Sequence, residues 1–478
     1  MADNSGNNGG SNGGNKPYYK YDLIVIGGGP AGYAAAIRAG QLDQRVLCIE
    51  KENLGGTCLN WGCIPTKALL DAGALVRKMQ HEAGAFGITF DNMQVDFHAP
   101  IKRSRDIAGK LNKGIAHLFG KYKVQHEIAT ATVVAPHKVR YNDTEVTAEH
   151  VLVCTGARSK ALPGIDFDGK KVISSREAMV LADKPKRMAV IGAGAIGCEF
   201  ADFYSSMGVD VTIIEYLDHL LPNEDKDCSV ALERAFKKRG INLMLKSKTT
   251  GVSKDGEGVV LSVEPRDGGD EKKVEADVCL LAVGVTGNIE GLFGEGAPVE
   301  IEKGHVKVDT DYRTNVEGVW AAGDVIGPPW LAHVAHHEAV YAVERMFGFS
   351  DHRVDYGNIP GCTYTHPQVA SMGLTEAKAR EAGDELKVGK FPFQASGRAL
   401  AAGETDGFVK LIFDKASGEL LGVHMIGESV TELLAELVMA KKLEATEAEI
   451  IEAMHPHPTL SEAVMEAAGV ADGRAIHL

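Results

Sequence analysis

Short apolar runs alternate with helix-like segments along most of the chain, and this alternation predicts an α/β fold. The first repeat begins with an apolar, β-branched run at residues 22–26, passes through a glycine-rich turn into a helix of small residues at 31–40, and ends with an apolar run at 45–50. A strand, a glycine turn, a helix and a second strand in this order are typical of a βαβ unit. We therefore expect a parallel sheet covered by helices.

The same pattern recurs in the second third of the chain. An apolar run at residues 188–191 leads into glycines, a helix runs to about residue 207, and a strand at 211–214 ends in an acid. A helical stretch at 101–122 lies between the two repeats. Three further apolar runs, each reaching a glycine, are predicted to be strands; they are residues 151–156, 279–284 and 319–324.

The C-terminal part of the chain has a different character. Strands are predicted at 407–413 and 420–426, followed by a long helix at 430–442, which indicates a separate α+β domain. A chain of 478 residues is also too long for one hydrophobic core. The pattern predicts two Rossmann-like dinucleotide-binding domains and this third domain, with boundaries at 1–20 (flexible tail), 21–158 (first domain), 159–285 (second domain), 286–357 (return to the first) and 358–478.

Each repeat carries a dinucleotide-binding fingerprint. Such glycines let the backbone approach a pyrophosphate at a helix N-terminus, and the acid at the end of the second strand binds ribose hydroxyls. A carboxylate bonds a free 2′-hydroxyl and repels a 2′-phosphate, so the second unit is predicted to prefer NAD over NADP. The residues concerned are Gly27, Gly29, Gly32 and Glu50 in the first repeat, and Gly192, Gly194, Gly197 and Glu215 in the second.

Two cysteines, Cys58 and Cys63, stand just after the first fingerprint. In an ideal helix their Cα atoms would lie about 7.5 Å apart, whereas a disulfide needs about 4.4–6.8 Å. A bridge therefore requires a distorted turn, which Gly62 permits and Pro65 favours. A thiol pair beside a nucleotide site suggests electron transfer between a cofactor and a disulfide. Two unrelated thiols, or half of a metal site, are the alternatives.

A histidine motif near the C-terminus, residues 455–462, is a second candidate for chemistry. His457 has the side chain that titrates near neutral pH, and Glu462 is close enough in sequence to orient it. Two other interpretations stay open at this point. The segment is also compatible with a helix start capped by Thr459 or Ser461, and with a metal site formed by His455 and His457.

Charge and composition exclude several classes of protein. A net charge of −14 argues against binding nucleic acid or an anionic membrane surface. No apolar run reaches the length of about 18 residues that a transmembrane helix needs. Residues 1–16 are mostly Gly, Asn and Ser, which predicts a flexible tail rather than a targeting peptide. The six other cysteines are scattered in mostly apolar contexts, as in a reducing compartment, so a cytoplasmic location is expected.

Taken together, four segments resemble the flavin-dependent disulfide reductases, over some 95 per cent of the chain. They are the run from Gly55 to Lys67 that holds both cysteines, Ala321–Asp324, the Leu-Ala-His run around Ala332, and His455–Glu462. The resemblance implies FAD in the first domain, NAD in the second, no metal, and a homodimer formed by the C-terminal domain. It implies FAD contacts from Gly27, Gly29, Gly32, Glu50, Lys51, Thr57, Lys67, Asp324 and Ala332, and NAD contacts from Gly192, Gly194, Gly197, Glu215 and Gly284.

Within this family the chain is most similar to the members that oxidise dihydrolipoyl groups. The resemblance implies that His457, oriented by Glu462, takes a proton from the substrate in the partner subunit's site. Cys58 is then attacked by the substrate thiolate, and Cys63 becomes the thiolate beside the flavin. Lys67 is implied to lie near the flavin with Glu199 as its carboxylate partner.

The implied protein partners are lipoyl domains with the acyltransferase core of a 2-oxoacid dehydrogenase complex, or the glycine cleavage carrier protein, and the motifs do not distinguish these.

Other classes of protein fit the sequence less well. A glutathione reductase would need a basic pair for the 2′-phosphate, but Glu215 is followed by Tyr216 and Leu217. A mercuric reductase would need a C-terminal cysteine pair, and the last cysteine is Cys362. A non-enzymatic flavoprotein would not need the thiols.

Overall fold

The computed structural model describes residues 18–256, 258–383 and 385–478. Most of the predicted flexible tail, residues 1–17, lies outside the described residues. The α/β class with two Rossmann-like units and a C-terminal α+β unit is confirmed. Within the described part of the chain, no helix combines the length and the apolar character needed to cross a membrane.

The first unit begins with alternating strands and helices and ends in a β-meander. Its elements are β1 (Tyr21–Ile26), α1 (Pro30–Gln41), β2 (Val46–Glu50), α2 (Gly56–Trp61), α3 (Cys63–His81), α4 (His98–Lys121), β3 (Gln125–Ile128), β4 (Ala131–Ala135), β5 (Lys138–Tyr141), β6 (Thr144–Val153) and β7 (Ala157–Ser159).

The second unit repeats the βαβ pattern and adds an antiparallel sheet. Its elements are β8 (Val172–Ile173), α5 (Ser175–Ala178), β9 (Arg187–Ile191), α6 (Ala195–Ser206), β10 (Asp210–Ile214), α7 (Lys226–Lys238), β11 (Asn242–Met244), β12 (Ser247–Asp255), β13 (Gly258–Pro265), β14 (Lys272–Ala276), β15 (Val278–Leu281) and β16 (Val285–Gly287).

The chain then returns to the first unit and ends in the α+β unit. The returning elements are β17 (Ile301–Glu302), β18 (His305–Val306), β19 (Val319–Ala321) and α8 (Ala332–Met346). The last unit contains β20 (Gly361–Thr363), β21 (Gln368–Gly373), α9 (Glu376–Glu381), β22 (Leu386–Pro392), α10 (Gly397–Ala402), β23 (Phe408–Asp414), β24 (Leu420–Gly427), α11 (Val430–Lys442), α12 (Glu447–Glu452) and α13 (Glu462–Ala471).

The two nucleotide units are built on the same parallel arrangement. In the first sheet the order is β3-β2-β1-β6-β5-β4, with β19 paired to β6, and in the second it is β11-β10-β9-β15-β8. β1 and β9 occupy equivalent central positions between parallel neighbours. β2 is buried along its whole length because helices cover one face of the sheet and the strands of the meander cover the other, which explains its unbroken apolar sequence.

The predicted strands at 279–284 and 319–324 are shorter in the structure than in the sequence pattern. β15 ends at Leu281, and β19 ends at Ala321, just before a 3₁₀ turn that begins at Asp324. Glycines with positive φ, Gly284 (φ 106°) and Gly323 (φ 78°), follow the two strand ends. The backbone turns where residues other than glycine would be strained, so the strands stop before these positions.

A two-stranded antiparallel pair, β7 with β16, lies where the chain leaves the first unit and where it returns. Here Asn288 Nδ2 donates to the Thr155 carbonyl at 2.9 Å, and Thr155 Oγ1 donates to the Asn288 carbonyl at 2.8 Å. The antiparallel sheet of the last unit, in the order β20-β21-β24-β23-β22, is covered by α11 and α13. Its buried face forms a separate apolar core.

Candidate active site

The glycine turn after β1 forms a cradle that side chains would fill. Gly27 has φ 102°, and a Cβ there would lie 2.3 Å from the Cys154 carbonyl oxygen; one on Gly32 would lie 1.8 Å from the Gly27 oxygen. A Cβ on Gly29 would meet nothing nearer than 3.7 Å, so this glycine leaves open space before the N-terminus of α1. The buried Glu50 carboxylate accepts the Gly28 N–H at 2.6 Å. The free N–H groups of the helix start and this space fit a pyrophosphate.

The turn after β9 has the same construction. Gly192 has φ 101°, and a Cβ on Gly197 would lie 2.0 Å from the Gly192 oxygen, whereas one on Gly194 would meet no atom within 4 Å. Glu215 is buried, and its carboxylate accepts the Ala193 N–H and the Leu217 N–H, both at 2.7 Å. The second unit therefore fits a dinucleotide in the same way as the first.

Cys58 and Cys63 form a disulfide with their Cα atoms 4.7 Å apart. The predicted distortion lies at Gly62, whose φ of −149° and ψ of −116° separate α2 from α3. Both cysteines are half-buried, so the bridge is accessible. Gly55, the residue before α2, donates its N–H to the Gly28 carbonyl at 2.7 Å. This hydrogen bond joins the dithiol segment directly to the first glycine turn.

The other cysteines were predicted to be mostly buried. Five are, and Cys362 is half-buried. Burial raises the pKa of the Cys362 thiol to about 11 and that of Cys279 to about 12. Such thiols stay protonated at neutral pH and are poor nucleophiles.

Lys67 and Glu199 lie together, as the resemblance implied. Lys67 Nζ donates to both carboxylate oxygens of Glu199 at 2.9 Å, and Glu199 is buried in α6 of the second unit. Tyr364 completes the group: its N–H donates to Glu199 at 2.9 Å, and its ring lies 4.5 Å from Lys67 Nζ. Three separate regions of the chain thus meet beside the disulfide-bearing helix α3.

Asp324 and Ala332 lie at the edge of the first nucleotide site. Gly323 approaches α1 so closely that a Cβ would lie 3.0 Å from the Ala31 Cβ. Burial raises the pKa of the Asp324 carboxyl to about 6. Ala332 is the first residue of α8, whose N-terminus has no side-chain cap. The half-buried Asp324 carboxyl and the uncapped N–H groups at the start of α8 can form hydrogen bonds with a bound polar cofactor.

Three other residues expected at the nucleotide sites lie on surfaces. Lys51 and Thr57 are exposed, Lys51 directly after β2 and Thr57 in the first turn of α2. Gly284 follows β15 with open space around its Cα. The role of these three residues in binding a nucleotide rests on the resemblance.

His457 and Glu462 form a hydrogen-bonded pair, Nδ1 to Oε1 at 2.8 Å. The second Glu462 oxygen accepts the Thr459 N–H at 2.8 Å. Burial acts to raise the pKa of Glu462, but this hydrogen bond and the one with His457 outweigh it, so the pKa is lowered. Ser461 precedes α13 but makes no capping hydrogen bond, so the alternative of a Ser461 cap is wrong. The His457 side chain is 80% exposed. Its Nε2 is therefore free to face a partner.

The alternative of a two-histidine metal site is not supported. His455 bonds instead to Glu436 and to the Ala453 carbonyl, at 2.7 and 2.8 Å. Across the described residues, one group could offer three ligands to a metal, His366 with Glu404 and Glu428, but Lys78 Nζ already lies 3.1 Å from Glu404.

Sequence reasoning missed several residues around the dithiol. The Trp61 ring contacts two guanidinium groups, whose central carbons lie 4.6 Å (Arg105) and 4.2 Å (Arg176) from the ring centre. Behind Asp324, the buried Glu338 accepts the Gly323 N–H at 2.8 Å and the Tyr356 hydroxyl at 2.6 Å. No local pattern marks these partners because they come from distant parts of the chain.

An accessible disulfide beside two dinucleotide-binding units defines an enzyme that moves electrons between a nucleotide cofactor and a disulfide. Comparison with known families gives the same class: residues 21–339 match the pyridine nucleotide-disulphide oxidoreductase model, and residues 359–468 match its dimerisation domain. The chain therefore belongs to the pyridine nucleotide-disulphide oxidoreductase family. The predicted family resemblance is confirmed.

Similar proteins cover nearly the whole chain. It is 44% identical to a dihydrolipoyl dehydrogenase from Zymomonas mobilis over 96% of this chain and 99% of that protein, and 41% identical to a leghemoglobin reductase from Glycine max over 94% and 87%. The solved structure of LpdA from Mycobacterium tuberculosis superposes with a TM-score of 0.87 at 27% identity, covering 93% of this chain and 98% of that one.

Proposed function

We propose that the chain oxidises dihydrolipoyl groups carried on a protein, passing two electrons through the Cys58–Cys63 disulfide and FAD to NAD⁺. The observation that carries this proposal is the accessible disulfide in a broken helix, hydrogen-bonded to the first glycine turn through Gly55. Relatives named dihydrolipoyl dehydrogenase, 40–44% identical over about 96% of the chain, support the choice of substrate.

FAD would be held in the first unit and NAD in the second. The FAD set is Gly27, Gly29, Gly32, Glu50, Lys51, Thr57, Lys67, Asp324 and Ala332; the NAD set is Gly192, Gly194, Gly197, Glu215 and Gly284. When bound, the flavin supplies a two-electron relay between the dithiol and the nicotinamide. The protein's part is to hold the dithiol, Lys67 and both nucleotide turns in fixed relation.

His457 serves as the general base. Its Nδ1 is bonded to Glu462, which leaves Nε2 to take the proton from the substrate thiol. The resulting substrate thiolate attacks Cys58 Sγ, the Cys58–Cys63 bond breaks, and Cys63 leaves as a thiolate. The second substrate thiol then displaces Cys58, which releases the cyclic disulfide of the substrate. The carboxylate of Glu462 stabilises the protonated imidazole between these steps.

The catalytic unit is a homodimer, in which His457 and Glu462 act on the partner subunit's disulfide. The match to a dimerisation domain and the exposure of His457 in the single chain support this arrangement. Lipoyl domains of a 2-oxoacid dehydrogenase complex or of glycine cleavage are the proposed protein partners. We propose a cytoplasmic location. We also propose that the junction between the first and second units lies at the β7–β16 pair, close to the boundaries expected from sequence.

The proposed roles of the two cysteines are tested by replacing each with serine. Cys58→Ser and Cys63→Ser should both abolish the reduction of NAD⁺ by dihydrolipoamide. If Cys63 is the thiolate beside the flavin, Cys58→Ser keeps a long-wavelength thiolate–flavin absorbance without reductant, whereas Cys63→Ser lacks it. The opposite spectra would reverse the two assignments. Lipoamide turnover by either variant would exclude the disulfide from the reaction.

A further inference from the structure

The tryptophan between the two cysteines has two cations against its ring. Arg105 comes from α4 in the first unit and Arg176 from α5 in the second, and their guanidinium carbons lie 4.6 and 4.2 Å from the Trp61 ring centre. Guanidinium groups stack favourably on indole rings. The dithiol segment is therefore in contact with two positive charges that the proposed mechanism does not use.

These two cations differ in how they are neutralised. Arg176 forms an ion pair with Glu52, whose carboxylate also accepts the Trp61 Nε1–H at 3.2 Å. Arg105 bonds only to neutral acceptors: the Asn60 carbonyl, Ser104 Oγ at 3.4 Å and Met179 Sδ at 3.0 Å. Within the described residues, no carboxylate oxygen lies within 4.0 Å of its nitrogens.

Arg105 differs from the other cations around the dithiol segment in the groups that neutralise it. The charged and titratable side chains around residues 56–67 include Lys51, Glu52, Lys67, Arg105, Arg176, Glu199, Cys362 and Tyr364. Lys67 is paired with Glu199, and Arg176 with Glu52. Of the two cations that contact Trp61, Arg105 is the one without a carboxylate partner among the described residues. Burial, and repulsion by Arg176, lower the pKa of Arg105, but an arginine keeps its charge at any physiological pH.

Arg105 places this charge against the helix that carries Cys58. It donates to the Asn60 carbonyl, in the last turn of α2. The break at Gly62 leaves the carbonyl end of α2 without continuation into α3, and a cation at such an end is favourable. Cys58 and Trp61 are three residues apart on α2, so their side chains are neighbours on one helix face.

We propose that Arg105 is a positioning residue whose unpaired charge favours the thiolate that forms when the Cys58–Cys63 disulfide is reduced. This inference rests on the proposed function only in taking that disulfide as the redox group. In the reduction, a dithiol becomes a disulfide and the Cys58–Cys63 bond breaks. The two electrons leave one enzyme sulfur as a thiolate and the other as a thiol. One proton of the reductant stays on that thiol, and the other passes to solvent.

The counter-charge for Arg105 thus appears only in the reduced enzyme. A half-buried guanidinium without a carboxylate partner is costly unless another interaction compensates. In the oxidised protein, the Trp61 ring and the Asn60 carbonyl provide that compensation. A thiolate on either sulfur of the Cys58–Cys63 pair adds an attraction that the neutral disulfide lacks. Between partly buried charges, such an attraction lowers a thiol pKa by about half a unit or more.

The test uses the flavin-loaded dimer, reduced with dithiothreitol and freed of excess reductant under anaerobic conditions. The rate of alkylation by iodoacetamide is measured against pH and gives the apparent pKa of the reactive thiol. The absorbance of the thiolate–flavin band is titrated in parallel. Arg105→Gln should raise both apparent pKa values by about half a unit or more. Arg103→Gln is the matched control, because Arg103 is an exposed arginine on the same helix and reaches only the Ala68 carbonyl, at 3.5 Å.

A conservative variant separates charge from shape. Arg105→Lys keeps the charge but not the planar stacking, so it should restore most of the thiol pKa even if its unfolding temperature falls as far as that of Arg105→Gln. Equal pKa values for Arg105→Gln and Arg103→Gln, in folded and flavin-loaded protein, would overturn the proposal. So would a shift in Arg105→Lys as large as that in Arg105→Gln. Neither readout depends on which substrate or nucleotide the enzyme uses, so a wrong proposed function would not produce these outcomes.

Discussion

At the scale of single residues, the same hydrogen bond occurs at both nucleotide sites. Glu50 accepts the N–H of Gly28, and Glu215 accepts the N–H of Ala193. Each acid therefore holds its own glycine turn against the strand end as well as facing the site. An ionised carboxylate has about four acceptor positions, so these bonds leave room for ribose hydroxyls.

We predict that Glu215 accounts for most of the preference for NAD⁺. Glu215→Gln should bring the dissociation constants of NADH and NADPH closer together by at least about tenfold, because the charge that repels a 2′-phosphate is removed. Fluorescence titration with both nucleotides measures this. Asp218→Asn is the control, since it removes an exposed acid three residues further on. A wild-type enzyme that binds NADPH as tightly as NADH would contradict the role given to Glu215.

Residue types at fixed spacing were enough to predict the cysteine pair and the two fingerprints. The partners that meet around them were not predictable in the same way. Tyr364 and Glu199 are 165 residues apart, and Arg176 is 124 residues from Glu52. Contacts of this range depend on how the units pack, which periodicity along the chain does not encode.

At the scale of elements, the decisive feature is the interrupted helix that carries the dithiol. α2 ends at Trp61 and α3 begins at Cys63, so the chain bends between the cysteines and brings their Cα atoms to 4.7 Å. The bend was predictable because an ideal helix places these atoms too far apart for a bridge. The contacts of Arg105 and Arg176 with Trp61 in this bent segment were not predictable.

The glycines of the second fingerprint provide a prediction at this scale. A Cβ at Gly197 would lie 2.0 Å from a backbone oxygen, whereas one at Gly194 would lie in open space. Gly197→Ala should therefore lower the unfolding free energy by about 1–3 kcal/mol. Gly194→Ala should fold with a loss below about 1 kcal/mol, yet bind NADH at least about tenfold more weakly, because its methyl group occupies the proposed pyrophosphate position. Normal NADH affinity in Gly194→Ala would exclude that position.

The sequence predicted the ends of an element correctly where its apolar periodicity stops at polar residues. The predicted helix at 430–442 is α11 without any shift, whereas the predicted strand at 319–324 was too long. Its last residues turn at Gly323 to carry Asp324 toward α1. The apolar pattern continues through that turn because the turn itself is buried, so hydrophobicity alone could not locate the strand end.

At the scale of the whole molecule, a buried ion cluster joins the second unit to the last one. Lys410 on β23 has a side chain that is 4% exposed, and its Nζ lies 2.9 Å from Asp225, 3.2 Å from Asp227 and 2.8 Å from Glu376. Asp225 also caps α7, through the Asp227 N–H at 3.0 Å. The Lys410 ammonium group is thus one of the contacts that join the nucleotide unit to the proposed dimerisation sheet, beside the Lys390–Asp227 ion pair at 3.0 Å.

We predict that Lys410→Met lowers the free energy of unfolding by about 3 kcal/mol at neutral pH, because buried carboxylates lose their cation. Burial works against ionisation of Asp225, but Lys410 keeps its pKa below the usual 3.8; a hydrogen bond from Lys410 likewise lowers the pKa of Glu376 below 4.5. Stability from such depressed pKa values is complete above these values and is lost as the pH falls through the folded-state pKa.

The difference between Lys410→Met and the wild type should therefore shrink as the pH falls below about 4. Urea unfolding at several pH values measures it. Lys415→Met is the control, since the Lys415–Glu385 pair is exposed and should contribute less than about 1 kcal/mol. An equal loss in the two variants, or a loss that does not depend on pH, would show that the cluster does not anchor the units electrostatically.

The proposed dimer gives the last prediction, since it divides each active site between two chains. His457→Gln should reduce lipoamide turnover by about 10²–10⁴-fold, because the general base is lost. Reduction of dye acceptors by NADH should stay largely intact, since it needs only the nucleotide sites of one chain. This second activity separates a chemical defect from misfolding.

Mixing subunits makes the division of the site directly measurable. A dimer of one Cys58→Ser chain and one His457→Gln chain would hold both lesions in one site and neither in the other, so lipoamide turnover should reappear after subunit exchange. Dimers of either variant with itself, carried through the same exchange, are the controls and should stay inactive. If exchange is verified and no turnover returns, the 80% exposed His457 must act within its own chain or take no part in the reaction.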